Sequence, residues 1–291
     1  MRLGNGRESG NVEDRRGMRF PGGGGGMVVG GGLGTVVLLV LALLFGVDPS
    51  VILSGGGGVA PSPSAIDGGA PGTRPPADDP AGRFVSRVLA ETEDVWTPAF
   101  EQIGRRYDPP RLVLYSGATQ SGCGTAQAQV GPFYGPNDQR VYLDLDFLAQ
   151  MQQGLGATGD FAAAYVIAHE VGHHVQNQLG VLDRVQQLKG RASEAQSNAL
   201  QVRVELQADC LAGLWARRAQ EARNILEQGD IEEGLNAAAA VGDDRLQRRA
   251  RGTVQPETFT HGSSAQRVRW FRRGLESGRL DSCDTFGAQQ L

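Results

Sequence analysis

Hydrophobic residues recur along the chain with two different periods. Between Arg83 and Gly104, apolar side chains recur at the spacing of one helix face, so this stretch predicts a helix. Its apolar positions are Phe84, Val88, Val95 and Phe100. Pro98 is expected to interrupt or kink the helix, because proline has no amide hydrogen to donate.

The next stretch changes to strand patterns. "RLVLYSG", residues 111–117, is typical of a strand that ends in a turn. "TAQAQVGPFYGPNDQRVYLDLDFL", residues 125–148, predicts a strand, a loop and a second strand at Val141–Asp146. Apolar and polar residues alternate in the second strand, which favours a strand covered on one face only. We expect it to be an ordinary edge strand, or one along which an extended peptide could pair.

Helical patterns return after residue 159. Asp160 can cap a helix that runs to about Leu179, where Gly180 stops it. Further helices are expected at about 193–228 and 231–250, and a fourth should begin at the capping-box pair Ser263 and Gln266.

One apolar run lies near the N-terminus. Residues 27–47 contain no charged side chain, and about 20 such residues can cross a bilayer as a helix. The alternative is a cleaved signal peptide, whose apolar region is usually about 7–15 residues long. Asp48-Pro49 follows directly and no A-x-A-like cleavage site is evident, so an uncleaved signal anchor is favoured.

This run divides the chain into four parts. We expect a short cytoplasmic segment at 1–26, a transmembrane helix at 27–47 that contacts membrane lipid, a Gly/Pro-rich linker at 48–80 and a folded domain at 81–291. Arginines outnumber acidic residues before the run, and the flank after it is mildly acidic. The positive-inside rule then places the N-terminus in the cytoplasm and the folded domain outside the cytoplasm.

Composition adds two constraints. The formal net charge is −4, so no basic excess indicates a nucleic-acid partner. The 3 cysteines include no CxxC pair, which argues against a zinc site made of cysteines. Nothing in the sequence predicts the oligomeric state.

The clearest chemical motif is "AHEVGHHVQ", residues 168–176. His169 and His173 are four apart on a predicted helix, so both can bind one Zn²⁺ from the same face. Glu170 lies beside them and can act as the general base on a metal-activated water. The other interpretation is a pair of histidines on an ordinary helix.

A catalytic zinc site needs a third protein ligand. "VELQADCLAGLW" places Glu205 and Asp209 four apart on another predicted helix. Glu205 as ligand completes a His₂Glu set, and Asp209 can then accept a hydrogen bond from a zinc-bound histidine, His169 being preferred. The alternative makes Asp209 the ligand and Glu205 a surface acid. A solvated pair is disfavoured by the apolar residues around it.

The remaining histidines have less defined roles. His174 is about 100° round the helix from His173, so it is expected to support the site from behind. His261 could stabilise the oxyanion of a tetrahedral intermediate, or it could be a structural residue at a helix entry. Tyr142 is an alternative oxyanion stabiliser.

Five segments together resemble the neutral zinc metallopeptidases, a family of membrane-anchored bacterial proteins of gluzincin type. They are "SGCGTAQAQVGPFYGP", "VYLDLDF", "AYVIAHEVGHHVQNQLG", "VELQADCLAGLW" and "FTHGSSAQRVRWFRRG". The resemblance also includes "RESGNVEDRRG" near the N-terminus. It implies a zincin-like α+β fold, zinc on His169, His173 and Glu205, and Glu170 as the base.

The chain departs from the family pattern at Gly135, where similar sequences commonly carry cysteine. Cys123 therefore lacks its expected local partner, and it could pair with Cys283 or stay free. Cys210 is expected to be a buried thiol.

These observations favour a membrane-anchored zinc metallopeptidase that hydrolyses extracytoplasmic proteins or peptides. Two rivals remain: an inactive zinc-bearing envelope scaffold, and a zinc hydrolase of a non-peptide envelope substrate. Glu170 argues against the first, because a structural site needs no base.

Overall fold

The fold is given by a computed structural model. It describes residues 1–4, 6–17, 73–127, 131–148 and 159–291. The predicted membrane helix at 27–47 and most of the predicted linker lie outside these ranges. Among the helices that are described, none combines the length and the apolar composition needed to cross a bilayer.

The described residues form two small β-sheets. The strands are β1 (Val12–Asp14), β2 (Arg111–Tyr115), β3 (Ala118–Ser121), β4 (Gly124–Gln127), β5 (Phe133–Gly135) and β6 (Arg140–Asp144). The larger sheet has the order β1-β2-β6-β5, and β3 pairs with β4 in a separate hairpin. β1, β2 and β6 are parallel, whereas β5 is antiparallel to β6.

The expectation that the second strand is an edge strand was wrong. β6 lies between β2 and β5 and pairs with both, so β1 and β5 form the edges of this sheet. The alternating pattern suggested an exposed face, but the polar side chains on that face are buried and hydrogen bonded within the protein. Tyr142 donates a hydrogen bond to Asp138 and stacks on Phe133, and Asp144 accepts one from the Gly117 amide. Both faces of β6 are therefore covered.

Seven α-helices lie wholly within the described part of the chain. They are α1 (Pro80–Gln102), α2 (Asp160–Gln178), α3 (Val181–Lys189), α4 (Glu194–Arg223), α5 (Asp230–Ala240), α6 (Asp243–Arg251) and α7 (Ser264–Ser277). The single helix expected at 231–250 is split into α5 and α6. Pro98 lies inside α1 without ending it. The predicted capping box of Ser263 and Gln266 is present at the start of α7.

Close helix packing builds the core around α4. A Cβ atom on Gly213 of α4 would lie 2.0 Å from the Phe271 carbonyl oxygen, and one on Gly274 of α7 would lie 1.9 Å from the Cys210 carbonyl oxygen. A Cβ on Gly172 of α2 would lie 3.1 Å from the Ala208 carbonyl oxygen of α4. Because these positions lack side chains, α2 and α7 approach α4 closely, and polar residues on the three helices can meet.

Residues 1–17, the N-terminal arm, belong to the folded domain. β1 pairs with β2, and Leu3 and Val12 are buried in the main hydrophobic core. Ser9 donates a hydrogen bond to Glu93 of α1. The expectation of a separate segment at 1–26 is therefore corrected as far as residue 17, because the sheet and the core of the domain include the arm.

The described residues on either side of the 18–72 segment lie next to each other. The Asp14 amide donates to the Thr73 carbonyl at 2.7 Å, and Arg16 forms an ion pair with Asp79. Paired strands are about 5 Å apart, whereas the hydrocarbon core of a bilayer is about 30 Å thick. An arm in the cytoplasm and a domain on the other side of the membrane are incompatible with this pairing. The compartment of the domain itself stays a prediction.

The cysteines pair differently from the expectation. Cys210 of α4 forms a disulfide with Cys283, which follows α7 in a short 3₁₀ helix at Leu280–Cys283. Cys123 is a free and exposed thiol in the turn between β3 and β4. The expectation of a buried Cys210 thiol was therefore wrong. The sequence separation of 73 residues left no local signal for this pair.

Candidate metal centre

Two histidines of α2 and one carboxylate of α4 converge on a common point. Glu205 Oε2 lies 3.3 Å from His169 Nε2 and 3.6 Å from His173 Nε2. Ligands held at 2.0–2.1 Å around a tetrahedral zinc ion are about 3.3 Å from one another. The three side chains thus have the donor types and the spacing that fit zinc, and the expected ligands lie together.

Hydrogen bonds determine which nitrogen of each histidine faces Glu205. His169 Nδ1 lies 2.9 Å from Asp209 Oδ1, and His173 Nδ1 lies 2.9 Å from Gln176 Oε1. Carboxylate and amide oxygens only accept hydrogen bonds, so each ring carries its proton on Nδ1. Both Nε2 atoms then face the carboxylate, and each can bind a metal once it carries no proton. Asp209 lies in the position expected of it, behind His169.

Glu205 is buried and remains ionised. Gln201 donates a hydrogen bond to its Oε1, which leaves Oε2 for the histidines. Desolvation by itself would raise the pKa of Glu205, but the charges of His173 and His261 hold that pKa well below its usual range. A carboxylate in the ionised form is the state that binds a metal.

Glu170 follows His169 in the chain and is also buried. Burial raises the pKa of Glu170 above its usual value, and the charges of His173 and His169 oppose the shift. A carboxyl group whose pKa lies closer to the working pH is a better general base than an ordinary surface glutamate. The side chain therefore suits the role that its place in the motif predicts.

His261 lies in a loop that is organised by Asp243. Asp243 Oδ2 accepts hydrogen bonds from three consecutive backbone amides, those of Thr260, His261 and Gly262. Asp243 Oδ1 lies 3.4 Å from His261 Nδ1. Desolvation alone would lower the pKa of His261, but the negative charges of Glu205 and Asp243 raise it. The structure thus brings His261 into the electrostatic surroundings of Glu205.

His174 lies on a different face of α2 from the metal ligands, about 100° round the helix from His173. Its Nδ1 accepts a hydrogen bond from the Tyr134 hydroxyl at 3.0 Å, and its Nε2 donates one to the Asp108 carbonyl at 2.7 Å. Burial lowers the pKa of His174 to about 4, so the ring is neutral at ordinary pH. His174 therefore attaches α2 to β5 and to the chain before β2, as a supporting residue does.

Sequence reasoning missed three residues around the site: Tyr165, Asp243 and Arg267. Arg267 Nε and Nη2 each lie 2.8 Å from an oxygen of Asp209, and the Tyr165 hydroxyl donates to Asp209 Oδ1 at 2.5 Å. A signal for Arg267 was present, since it shares the apolar face of α7 with Phe271 and Gly274. A charged residue at a buried position usually has a charged partner.

Tyr142, the alternative oxyanion stabiliser, is engaged elsewhere. It belongs to a second hydrophobic cluster with Val113 and Tyr115 in the sheet. Its hydroxyl donates to Asp138 at 2.5 Å. The structure therefore supports His261 over Tyr142 as the residue near the metal ligands.

The α+β fold and the His₂Glu set fit a protein of the zincin-like class. Over residues 1–286 the sequence matches the family described as "Putative neutral zinc metallopeptidase". The chain belongs to this family, and the family expected from the motifs is confirmed.

Similar proteins span nearly the whole chain. It is 46% identical to "Uncharacterized protein YpfJ" of Escherichia coli (strain K12), over 99% of both chains. It is 45% identical to "Uncharacterized protein Rv2575" of Mycobacterium tuberculosis (strain ATCC 25618 / H37Rv), over 86% of each chain. "Uncharacterized protein Mb2605" of Mycobacterium bovis has the same identity and coverage. No solved structure matches the chain.

Proposed function

We propose that the chain is a zinc-dependent metallopeptidase that hydrolyses peptide bonds, with Glu170 as the general base. The observation that carries the proposal is the convergence of His169, His173 and Glu205 at the spacing of zinc ligands, with Glu170 adjacent. A bound zinc ion supplies Lewis-acid chemistry, which polarises a carbonyl group and makes water easier to deprotonate.

The chain's own residues perform the remaining steps. Glu170 removes a proton from the attacking water and later delivers it to the leaving amine. His261, held in its loop by Asp243, stabilises the negative charge that develops on the carbonyl oxygen. Asp209 holds His169 with its proton on Nδ1, so that Nε2 stays available to the metal.

We assign the substrate a path along β5. β5 is an edge strand, and an extended peptide can add to such an edge by backbone hydrogen bonds. Tyr134 of β5 is hydrogen bonded to His174 and to Asn177 of α2, which holds this edge next to the metal helix. A peptide suits this edge better than a non-peptide substrate, because only a regular backbone can continue the sheet.

The test compares the wild type with Glu170→Gln after loading with zinc. We expect the variant to bind zinc as the wild type does and to lose peptide hydrolysis by about 10²–10⁴-fold, the contribution of a positioned acid–base group. Cleavage of a mixed peptide library, read by mass spectrometry, measures the loss. Glu232→Gln, an exposed change of the same kind on α5, is the control and should retain activity.

The alternatives give different results in the same experiment. If the wild type binds zinc but cleaves no peptide, the peptidase proposal is rejected. The zinc-bearing scaffold and the non-peptide hydrolase then remain as explanations. Equal cleavage by wild type and Glu170→Gln would refute the mechanism. Comparing the cell-envelope proteins that accumulate with each version then identifies substrates.

We further propose that the metal centre and the N-terminal arm share one extracytoplasmic compartment. The Cys210–Cys283 disulfide supports an oxidising environment. The pairing of β1 with β2 requires the arm on the same side. Whether residues 27–47 contact lipid stays a prediction.

The sidedness can be measured with a membrane-impermeant maleimide on intact cells. Cys123 is exposed and reports on the domain, and Glu8→Cys in a Cys123→Ser chain reports on the arm. We expect both thiols to be labelled from outside. Labelling of Cys123 alone would contradict the shared compartment, and labelling of neither would place both inside.

A further inference from the structure

Arg267 of α7 is a buried cation whose side chain ends at the metal centre. It is 3% exposed. Its Nε and Nη2 contact the two oxygens of Asp209, each at 2.8 Å, as a bidentate pair. Nη2 also lies 3.2 Å from the Tyr165 hydroxyl and 3.4 Å from His169 Nδ1. Arg267 therefore contacts the carboxylate that orients a metal ligand.

The geometry constrains Asp209 in two directions. Asp209 Oδ1 faces His169 Nδ1 at 2.9 Å, while Arg267 spans both oxygens from the other side. His169 and Tyr165 both contact Oδ1 alone, which leaves the carboxylate free to rotate about its terminal bond, but a bidentate guanidinium fixes its plane. In the orientation that Arg267 holds, Oδ1 lies 2.9 Å from His169 Nδ1 and can accept its proton in a hydrogen bond.

Two features of the fold place Arg267 beside Asp209. The capping box of Ser263 and Gln266 fixes where α7 begins, so Arg267 lies in its first turn. The glycine contacts between α7 and α4 bring the two backbones together. Since Asp209 lies on α4 one turn after Glu205, the approach of α7 places a guanidinium behind the metal ligands.

We propose that Arg267 is a positioning residue of the metal centre, which acts through Asp209 to hold His169 in its ligating orientation. This inference rests on the proposed zinc site. It goes beyond the ligand set and the base, because Arg267 pairs with Asp209, which is neither a proposed ligand nor the proposed base. A purely structural role, joining α7 to α4, is the competing explanation.

The affinity for zinc separates the two explanations. Purified protein is titrated against a chromophoric zinc chelator, well below the unfolding temperature of each variant. Removing a partner behind a metal ligand typically weakens binding by about 10–100-fold, and we expect Arg267→Met to lose at least about tenfold. Arg267→Lys keeps the charge without the bidentate geometry, so its loss should be intermediate.

Arg15→Met is the matched control. Arg15 is also buried, and it forms an ion pair with Glu13 in the sheet. We expect both Met variants to unfold at lower temperature, but only Arg267→Met to bind zinc more weakly. Equal zinc affinity in Arg267→Met and the wild type would overturn the proposal. If Arg267→Met does not fold, the zinc affinity of Arg267→Lys is compared with that of the wild type instead, and equal affinity would again overturn the proposal.

A double variant tests the route through Asp209. If Arg267 acts by holding that carboxylate, adding Arg267→Met to Asp209→Asn should weaken zinc binding little beyond Asp209→Asn alone. Additive losses would mean that Arg267 acts independently, against the proposal. The visible spectrum of the Co²⁺-substituted protein should change in both single variants, as ligand geometry changes. A wild type that binds no zinc would refute the proposed function instead.

Discussion

The metal centre and the N-terminal arm both join distant parts of the chain by polar contacts, but they do so in opposite ways. At the metal centre, side chains from α2, α4 and α7 converge on one point, and His169, Glu205 and Asp209 are each less than 10% exposed. Along the arm, polar contacts are spread over α1, the start of α2 and the segment after α4, and many are half exposed. The ion pair of Arg83 with Glu8 is 45% and 44% exposed.

The difference shows what each arrangement is suited for. Burying several charges together costs desolvation energy, so such a cluster is weak evidence for stability and stronger evidence for chemistry. Exposed pairs contribute little individually, and the arm is held mainly by β1 pairing and by the burial of Leu3 and Val12. We therefore expect changes at the metal centre to affect zinc and changes in the arm to affect folding.

The largest effect should follow Glu205→Ala. The variant loses one of the three proposed zinc ligands, so its affinity for zinc should fall by more than about a hundredfold, beyond the usual cost of losing a partner behind a ligand. Competition with a chelator measures the fall. Asp209→Ala is the informative comparison, because a larger loss there would make Asp209 the ligand. Retained zinc in Glu205→Ala would reject the proposed ligand set.

Deletion of residues 1–17 should have the next largest effect, on stability. Burial of Leu3 and Val12 alone accounts for roughly 3–6 kcal/mol, before the loss of β1 pairing. Thermal unfolding of the deleted chain should shift downward strongly, and zinc binding should be lost only as the protein unfolds. A chain without the arm that unfolds like the wild type would show that the arm is not part of the domain.

A smaller effect is expected of Glu93→Gln. Glu93 Oε1 accepts hydrogen bonds from Ser9 and Asn11, and Oε2 forms an ion pair with Arg7. Loss of this charge should reduce the free energy of unfolding by about 1–3 kcal/mol, as measured in urea, with zinc affinity unchanged.

Arg83→Ala is the control for that measurement. Because both partners are about half exposed, the pair with Glu8 should contribute about 0.2–1 kcal/mol. A drop in zinc affinity after Glu93→Gln would contradict the separation between the arm and the metal centre.

Local spacing made much of the metal centre predictable. His169 and His173 are one helical turn apart, and Glu205 and Asp209 repeat that spacing on a second helix, so each pair shares a face whatever the rest of the fold does. The capping box at Ser263 was predictable for the same reason. Helix starts depend on a few consecutive residues.

Other features depend on contacts between distant segments. The three residues of β1 are too few to show a strand pattern in the sequence. They form a strand because they pair with the edge of β2. β6 looked half exposed because Tyr142 and Asp144 are polar by type, but their partners lie elsewhere in the fold. The Cys210–Cys283 pair closes over 73 residues and has no local signature.

The sequence by itself determined the family, the two helices that carry the proposed ligands and the glutamate proposed as base, because these follow from spacing within a few turns of helix. Only the tertiary structure decided that Glu205 meets the histidines, that Arg267 stands behind Asp209, and that the arm lies with the domain. Those features depend on how closely α7 and α2 approach α4, and on which strands pair in the sheet. Such long-range packing is a property of the whole chain and cannot be read from any one segment of it.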